Sequence, residues 1–150
     1  MAGTYTQLLA HVVYSTKHRQ PVIKPAMREA LYQHIGGIIH NKKATKLEIG
    51  GTADHLHLLI QLHQENAVAD LVRDIKANSS AWIHEQFPAM RDFAWQAGYG
   101  AFTVSHSMRD VVERYVRNQE EHHRKRTFQE EFLEFLRRHE IAYDERYIWD

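Results

Sequence analysis

The stretch Glu48-Ile-Gly-Gly-Thr-Ala-Asp54-His55-Leu-His57-Leu-Leu-Ile-Gln-Leu62 sets two imidazoles two residues apart inside a strongly apolar run. A run so rich in aliphatic residues reads as a β-strand. Successive strand side chains point to opposite faces, so His55, His57, Leu59 and Gln61 share one face while Leu56, Leu58, Ile60 and Leu62 share the other. The leucine face is expected to pack on helices and the histidine face to be left for chemistry. Two neutral imidazoles on a rigid strand make a pair of metal ligands that a third group could complete. The pair taken alone also fits two histidines on a half-exposed sheet face.

Outward from this strand, Thr45 to Gly50 reads as a preceding strand and Gly50-Gly51 as the opening of a turn, which makes a hairpin. Tyr5 to Thr16 reads as a first strand, rich in β-branched and aromatic residues and free of breakers. Pro25 suits a helix N-terminus, and Met27, Leu31, Ile35, Ile38 and Ile39 continue a helical stripe to about residue 41, through Gly36-Gly37. A second amphipathic helix runs from Ala67 to about Gln86, marked by Val68, Leu71, Val72, Ile75 and Trp82 and followed by Pro88. Phe93 to Ser105 is expected to form a fourth strand, with a bend or close backbone approach at Gly98 and Gly100.

Ser107-Met-Arg-Asp110 has the spacing of a capping box ahead of a helix reaching about Arg124, and Thr127-Phe-Gln-Glu130 repeats the signal ahead of a last helix. The tail from Ile141 to Asp150 carries Tyr143, Tyr147 and Trp149 and is expected to pack. The order strand, helix, strand, strand, helix, strand, then helices predicts an α+β fold: a ferredoxin-like split βαβ sheet with two crossover helices and a C-terminal helical extension. One sheet face would lie under the crossover helices and the other, bearing His55 and His57, would be open.

Composition bounds the rest. The chain has 150 residues, 43% of them hydrophobic, which suits one domain spanning residues 1–150. Without cysteine, thiolate metal sites and cysteine nucleophiles are excluded, and any metal must use nitrogen and oxygen. There is no membrane-length apolar run, and Met1 to Gln7 lacks the features of a signal peptide, so a soluble protein in a reducing, cytoplasmic setting is expected. Lys plus Arg equal Asp plus Glu at 19 each, so no global charge attracts nucleic acid. Basic residues do cluster, at Lys17-His18-Arg19, at Lys42-Lys43 with Lys46, and at Arg124-Lys125-Arg126.

Tyr115 and Gln119 stand four residues apart and so share one face of the penultimate helix. Together with His55-Leu-His57 they resemble the constellation of the single-tyrosine HUH transposases of bacterial insertion sequences, of which REP-associated tyrosine transposases are close relatives. The resemblance also takes in His11-Val-Val-Tyr-Ser-Thr-Lys17, Lys76-Ala-Asn-Ser-Ser80, Trp95-Gln-Ala-Gly-Tyr99 and Thr103-Val104. It implies a homodimeric enzyme that cuts single-stranded DNA near a hairpin. It further implies Mg2+ or Mn2+ on His55, His57 and Gln119, and Tyr115 as the nucleophile that forms a 5′-phosphotyrosine link. Asp54 is not expected to be a ligand, since alternation turns it to the other strand face. Two other classes fit the fold: a non-catalytic ferredoxin-like module that binds nucleic acid on its sheet, and a small metal-binding or metabolic protein.

Overall fold

The computed structural model describes residues 3–150; Met1 and Ala2, the start of the N-terminal segment read above, lie outside the described residues. Four antiparallel strands form one sheet in the order β2-β3-β1-β4, with β1 at Leu8–Ser15, β2 at Thr45–Gly51, β3 at His55–Leu62 and β4 at Gly100–Val104. Helix α1 (Pro25–Asn41) joins β1 to β2, and α2 (Val68–Gln86) joins β3 to β4. The expected α+β arrangement is therefore observed. Three helices follow: α3 (Arg109–Arg117), the short α4 (Gln119–His122) and α5 (Phe128–Arg138). Among the described residues, no helix is long and apolar enough to cross a membrane.

The period-two pattern of β3 decides what each face buries. Leu56, Leu58 and Ile60 join Ala10, Val12 and Tyr14 of β1 in the core beneath Leu31, Ile35 and Ile39 of α1 and Leu71 and Ile75 of α2. On the opposite face, Val13 and Phe102 pack against Phe128, Phe132 and Leu136 of α5. That face is not the open one that the topology alone predicted. The C-terminal helices cover it, and His55 and His57 are fully buried at 0% exposure. With helices packed on both faces, the sheet does not present the open surface on which bases would stack in the binding-module alternative.

Other local expectations are adjusted. The β2–β3 hairpin forms, but Gly50 and Gly51 are the last residues of β2 and the turn is Thr52-Ala-Asp54. Phe93 to Tyr99 is mostly irregular, with an isolated β-bridge between Thr16 and Trp95, and the strand begins only at Gly100. A side chain at Gly100 would press on Phe102 and Phe132 at 3.0–3.2 Å, the close approach that its sequence position suggested. Ser107 does not cap α3; it lies in a 3-10 turn and its hydroxyl meets Ser105 Oγ at 3.0 Å. Thr127 and Glu130 do form the capping box of α5. The helix expected to reach Arg124 breaks at Asn118, between α3 and α4. In the tail, Trp149 packs on Phe128 and Phe132, while Tyr143 and Tyr147 stay exposed.

Candidate metal and tyrosine site

Gly50 pairs with His57 across the hairpin, and α3 crosses β2 directly over it. A Cβ at Gly50 would lie 1.8 Å from the carbonyl oxygen of Val116, so only glycine lets α3 come this close. The approach sets Tyr115 and Gln119 over the two strand histidines. His55, His57 and Gln119 are fully buried, and Tyr115 is half-buried. Gln119 donates from Nε2 to the Tyr115 carbonyl at 2.9 Å, which turns its Oε1 to His55 Nε2 at 3.2 Å and His123 Nε2 at 3.0 Å. The four residues singled out from the sequence therefore meet in one place.

The structure adds four residues that the sequence did not single out: Glu131, His122, His123 and His11. Glu131, on α5, is buried at 2% exposure and accepts hydrogen bonds from His57 Nε2 at 2.9 Å and from the Tyr115 hydroxyl. His122 and His123 bring Nε2 to its Oε2 at 3.0 and 3.3 Å. His11 of β1, also buried, lies 2.8 Å from His57 Nδ1. A signal for Glu131 was present: with Phe128, Phe132 and Phe135 it occupies the apolar stripe of α5, where a charge needs a partner. For His123 the sequence held no such signal, since it follows a four-residue helix with no stripe to read.

Three imidazoles present Nε2 to a common centre because their Nδ1 atoms are engaged elsewhere. His55 Nδ1 donates to Asp54 Oδ1 at 2.7 Å, His57 Nδ1 pairs with His11 Nε2, and His123 Nδ1 donates to the Arg126 carbonyl at 2.7 Å. Such partners orient metal-binding histidines and fix their tautomers. Asp54 is thus an orienting carboxylate rather than a ligand. His55, His57, His123 and Glu131 offer ligand atoms that all lie within 4.8 Å of one another, a buried group able to chelate a divalent metal ion.

Burial favours neutral His57 and His11 beside the Glu131 carboxylate, whereas at His123 burial is outweighed by the hydrogen bond to Glu131, which raises its pKa. Burial pushes His57 down to about 4, against the opposing pull of Glu131, and burial together with His57 pushes His11 down to about 3. Burial alone would raise Glu131, but hydrogen bonds from His123, His57 and Tyr115 outweigh it and hold the carboxyl far below its usual range. Burial, reinforced by the Glu131 charge, pushes the Tyr115 phenol well above its ordinary value. A groove of about 300 Å³ opens onto Tyr115 and Glu131 and is edged by Val111, His122, Arg126 and Arg138.

Comparison with known proteins places this geometry. The family model described as IS200-like transposase matches residues 4–119. The ISDra2 transposase TnpA of Deinococcus radiodurans is 23% identical over 122 residues, covering 78% of this chain and 87% of the relative. The transposase for insertion sequence element IS200 of Salmonella typhimurium is 26% identical over 125 residues, covering 79% and 81%. Among solved structures, a putative transposase from Deinococcus radiodurans superposes with a TM-score of 0.66 at 22% identity, over 79% of this chain and 95% of that one. A REP-associated tyrosine transposase bound to a REP hairpin superposes with a TM-score of 0.57 at 12% identity, over 77% and 68%. The matched residues include His55, His57, Tyr115 and Gln119 and end just before the segment that supplies His123 and Glu131. With a paired-histidine strand, a tyrosine-bearing helix laid across it and a family match over most of its length, the chain belongs to the IS200-like family of single-tyrosine HUH transposases.

Proposed function

We propose that residues 1–150 act as one transposase domain that nicks single-stranded DNA beside a hairpin and carries the cut strand on Tyr115, with Mg2+ or Mn2+ as cofactor. The observation that carries this reading is the meeting of the Tyr115 hydroxyl, the Nε2 atoms of His55 and His57, and Gln119 Oε1 in one buried cluster. In this reading His55, His57 and Gln119 are metal ligands and Tyr115 is the nucleophile. A divalent ion held there would polarise a phosphoryl oxygen and favour charge build-up at phosphorus.

The tyrosine chemistry balances without an external energy source. The Tyr115 oxygen forms a bond to phosphorus, the bond from phosphorus to the 3′ oxygen breaks, and that oxygen leaves as a 3′-hydroxyl after taking up a proton. The phenol in turn gives its proton to a neighbouring base, and His122 Nε2 stands 3.2 Å from the hydroxyl. Rejoining reverses the step, because the phosphotyrosine ester conserves the energy of the diester. The hairpin substrate is carried over from the REP-associated relative, described as bound to a REP hairpin. Exchange of two ends calls for two tyrosines, so the working form is a homodimer, and the setting is the bacterial cytoplasm.

The test is direct. Labelled single-stranded oligonucleotides with foldback hairpins, drawn from the sequence flanking the gene, are incubated with the chain and Mg2+ or Mn2+. A DNA–protein adduct stable in detergent is expected, and light scattering should show a dimer at micromolar concentration. Binding to every hairpin without any adduct would reduce the protein to a binding module.

A further inference from the structure

Resting on the reading that His55 and His57 hold a metal, we propose that in the closed state the ion takes four ligands, His55, His57, His123 and Glu131. The ion then ties β3 to the C-terminal extension, and Glu131 holds the place that a DNA phosphate needs. His123 is prepared in the same way as the two strand histidines. Its Nδ1 is spent on a backbone carbonyl, and its Nε2 faces Gln119 Oε1 at 3.0 Å and Glu131 Oε2 at 3.3 Å. Glu131 Oε1 lies 2.9 Å from His57 Nε2 and 3.8 Å from His55 Nε2. Tetrahedral ligands at roughly 2.0–2.1 Å from an ion would stand about 3.3 Å apart, so the four ligand atoms, now within 4.8 Å of one another, would draw together by up to about 1.5 Å around an ion.

Two consequences follow from the chemistry of these ligands. Three imidazoles and one carboxylate suit zinc and, less tightly, manganese, whereas magnesium prefers oxygen ligands and retains its water. A set closed by four protein groups also leaves no open position for substrate. Glu131 touches both the metal-facing imidazole of His57 and the Tyr115 hydroxyl, as a phosphate under attack by Tyr115 must. Since His55 and His57 are fully buried beneath the extension, DNA and α5 compete for the same metal. The tail adds a second fastening where the Asp150 carbonyl accepts from Gly98 N at 2.8 Å and Gln96 Nε2 at 3.1 Å.

The experiment uses the full chain and the metal alone. Zn2+, Mn2+ and Mg2+ are titrated by calorimetry into wild type, Glu131→Gln, His123→Ala and His55→Ala, and amide exchange across α5 is followed with and without Zn2+. Expected are binding in the order Zn2+, Mn2+, Mg2+, a loss of about tenfold or more in Glu131→Gln and His123→Ala, and slower α5 exchange when metal is added to wild type. Unchanged affinity in these two variants, with α5 exchange indifferent to metal, overturns the four-ligand set while leaving the His55–His57 reading intact. Absence of binding in wild type, or affinity unaltered in His55→Ala, overturns the underlying reading as well. The exchange comparison on wild type needs no variant and stands even if Glu131→Gln fails to fold.

Discussion

The two faces of the sheet are both packed against helices, yet they are held by different physics. Beneath α1 and α2, Val12, Tyr14, Leu56, Leu58 and Ile60 are buried among aliphatic side chains, and the contacts are non-directional. Beneath α3, α4 and α5, His11, His55, His57, Gln119 and Glu131 are just as buried but are held by directional hydrogen bonds to named partners. The apolar face has one good arrangement. The polar face can exchange one partner for another of the same chemistry, such as a carboxylate for a phosphate, without losing its satisfaction. Burial alone therefore does not separate core from site, and the kind of bond that satisfies the buried atoms does.

The sharpest test of this contrast is Tyr115→Phe. The ring keeps its edge contacts with His11, His57 and Phe135 and loses only the hydroxyl. Covalent adduct formation should fall by about 10³-fold or more, roughly 4 kcal/mol of barrier, with little change in melting temperature. A full yield of adduct from this variant would move the nucleophile to another tyrosine.

Leu58→Ala does the opposite, opening a cavity on the apolar face. A loss of about 2–5 kcal/mol in denaturant unfolding is expected, while the variant still forms the adduct at temperatures where it is folded. If adduct yield fell as far as in Tyr115→Phe, the two faces would be coupled more tightly than the comparison allows.

The third test uses pH on the metal-free chain. His57 and His11 titrate near 4 and 3 in the folded state because they are buried, against about 6.5 when unfolded. A histidine with a depressed folded pKa contributes stability that is fully present above 6.5 and lost as pH falls towards the folded value. His123, whose folded pKa is raised because Glu131 outweighs its burial, contributes in the opposite sense, its share being lost as pH rises through the folded value. Between pH 7 and pH 5.5 a net loss of roughly 1–2 kcal/mol is expected, read by chemical denaturation. Leu58→Ala should shift the whole curve down without changing its slope, since the histidines of the strands, His11, His55 and His57, all point to the other face. A flat profile would mean that the imidazoles are solvated.

The smallest effect is expected from Thr127→Ala, which removes the capping box of α5, the helix that carries Glu131. About 1 kcal/mol of helix stability should be lost. Faster amide exchange confined to α5 is the measurement, with the apolar face unaffected.

On an open sheet face His55 and His57 would tolerate alanine with little loss of stability. Full burial and bonds to Asp54, His11 and Glu131 reverse that expectation, and His57→Ala would leave His11 and Glu131 short of a buried partner. A ferredoxin-like sheet that ended with its crossover helices would leave these histidines open; here α5 packs over them.

What the sequence determined by itself was local. Alternation along His55 to Leu62 sorted the two faces of β3, turn and cap residues marked the hairpin and α5, and the four-residue spacing of Tyr115 and Gln119 put them on one helix face. Each of these depends on the geometry of a few consecutive residues, which the chain carries wherever it goes. What only the tertiary structure decided was which helices would lie over the histidines. His57 meets Glu131 across 74 positions of sequence and His11 across 46, and Gly50 reaches Val116 through a crossing that no local pattern records. Such contacts arise because the extension must bury Phe128, Phe132 and Leu136 somewhere, and Val13 and Phe102 of the sheet offer the apolar surface to receive them.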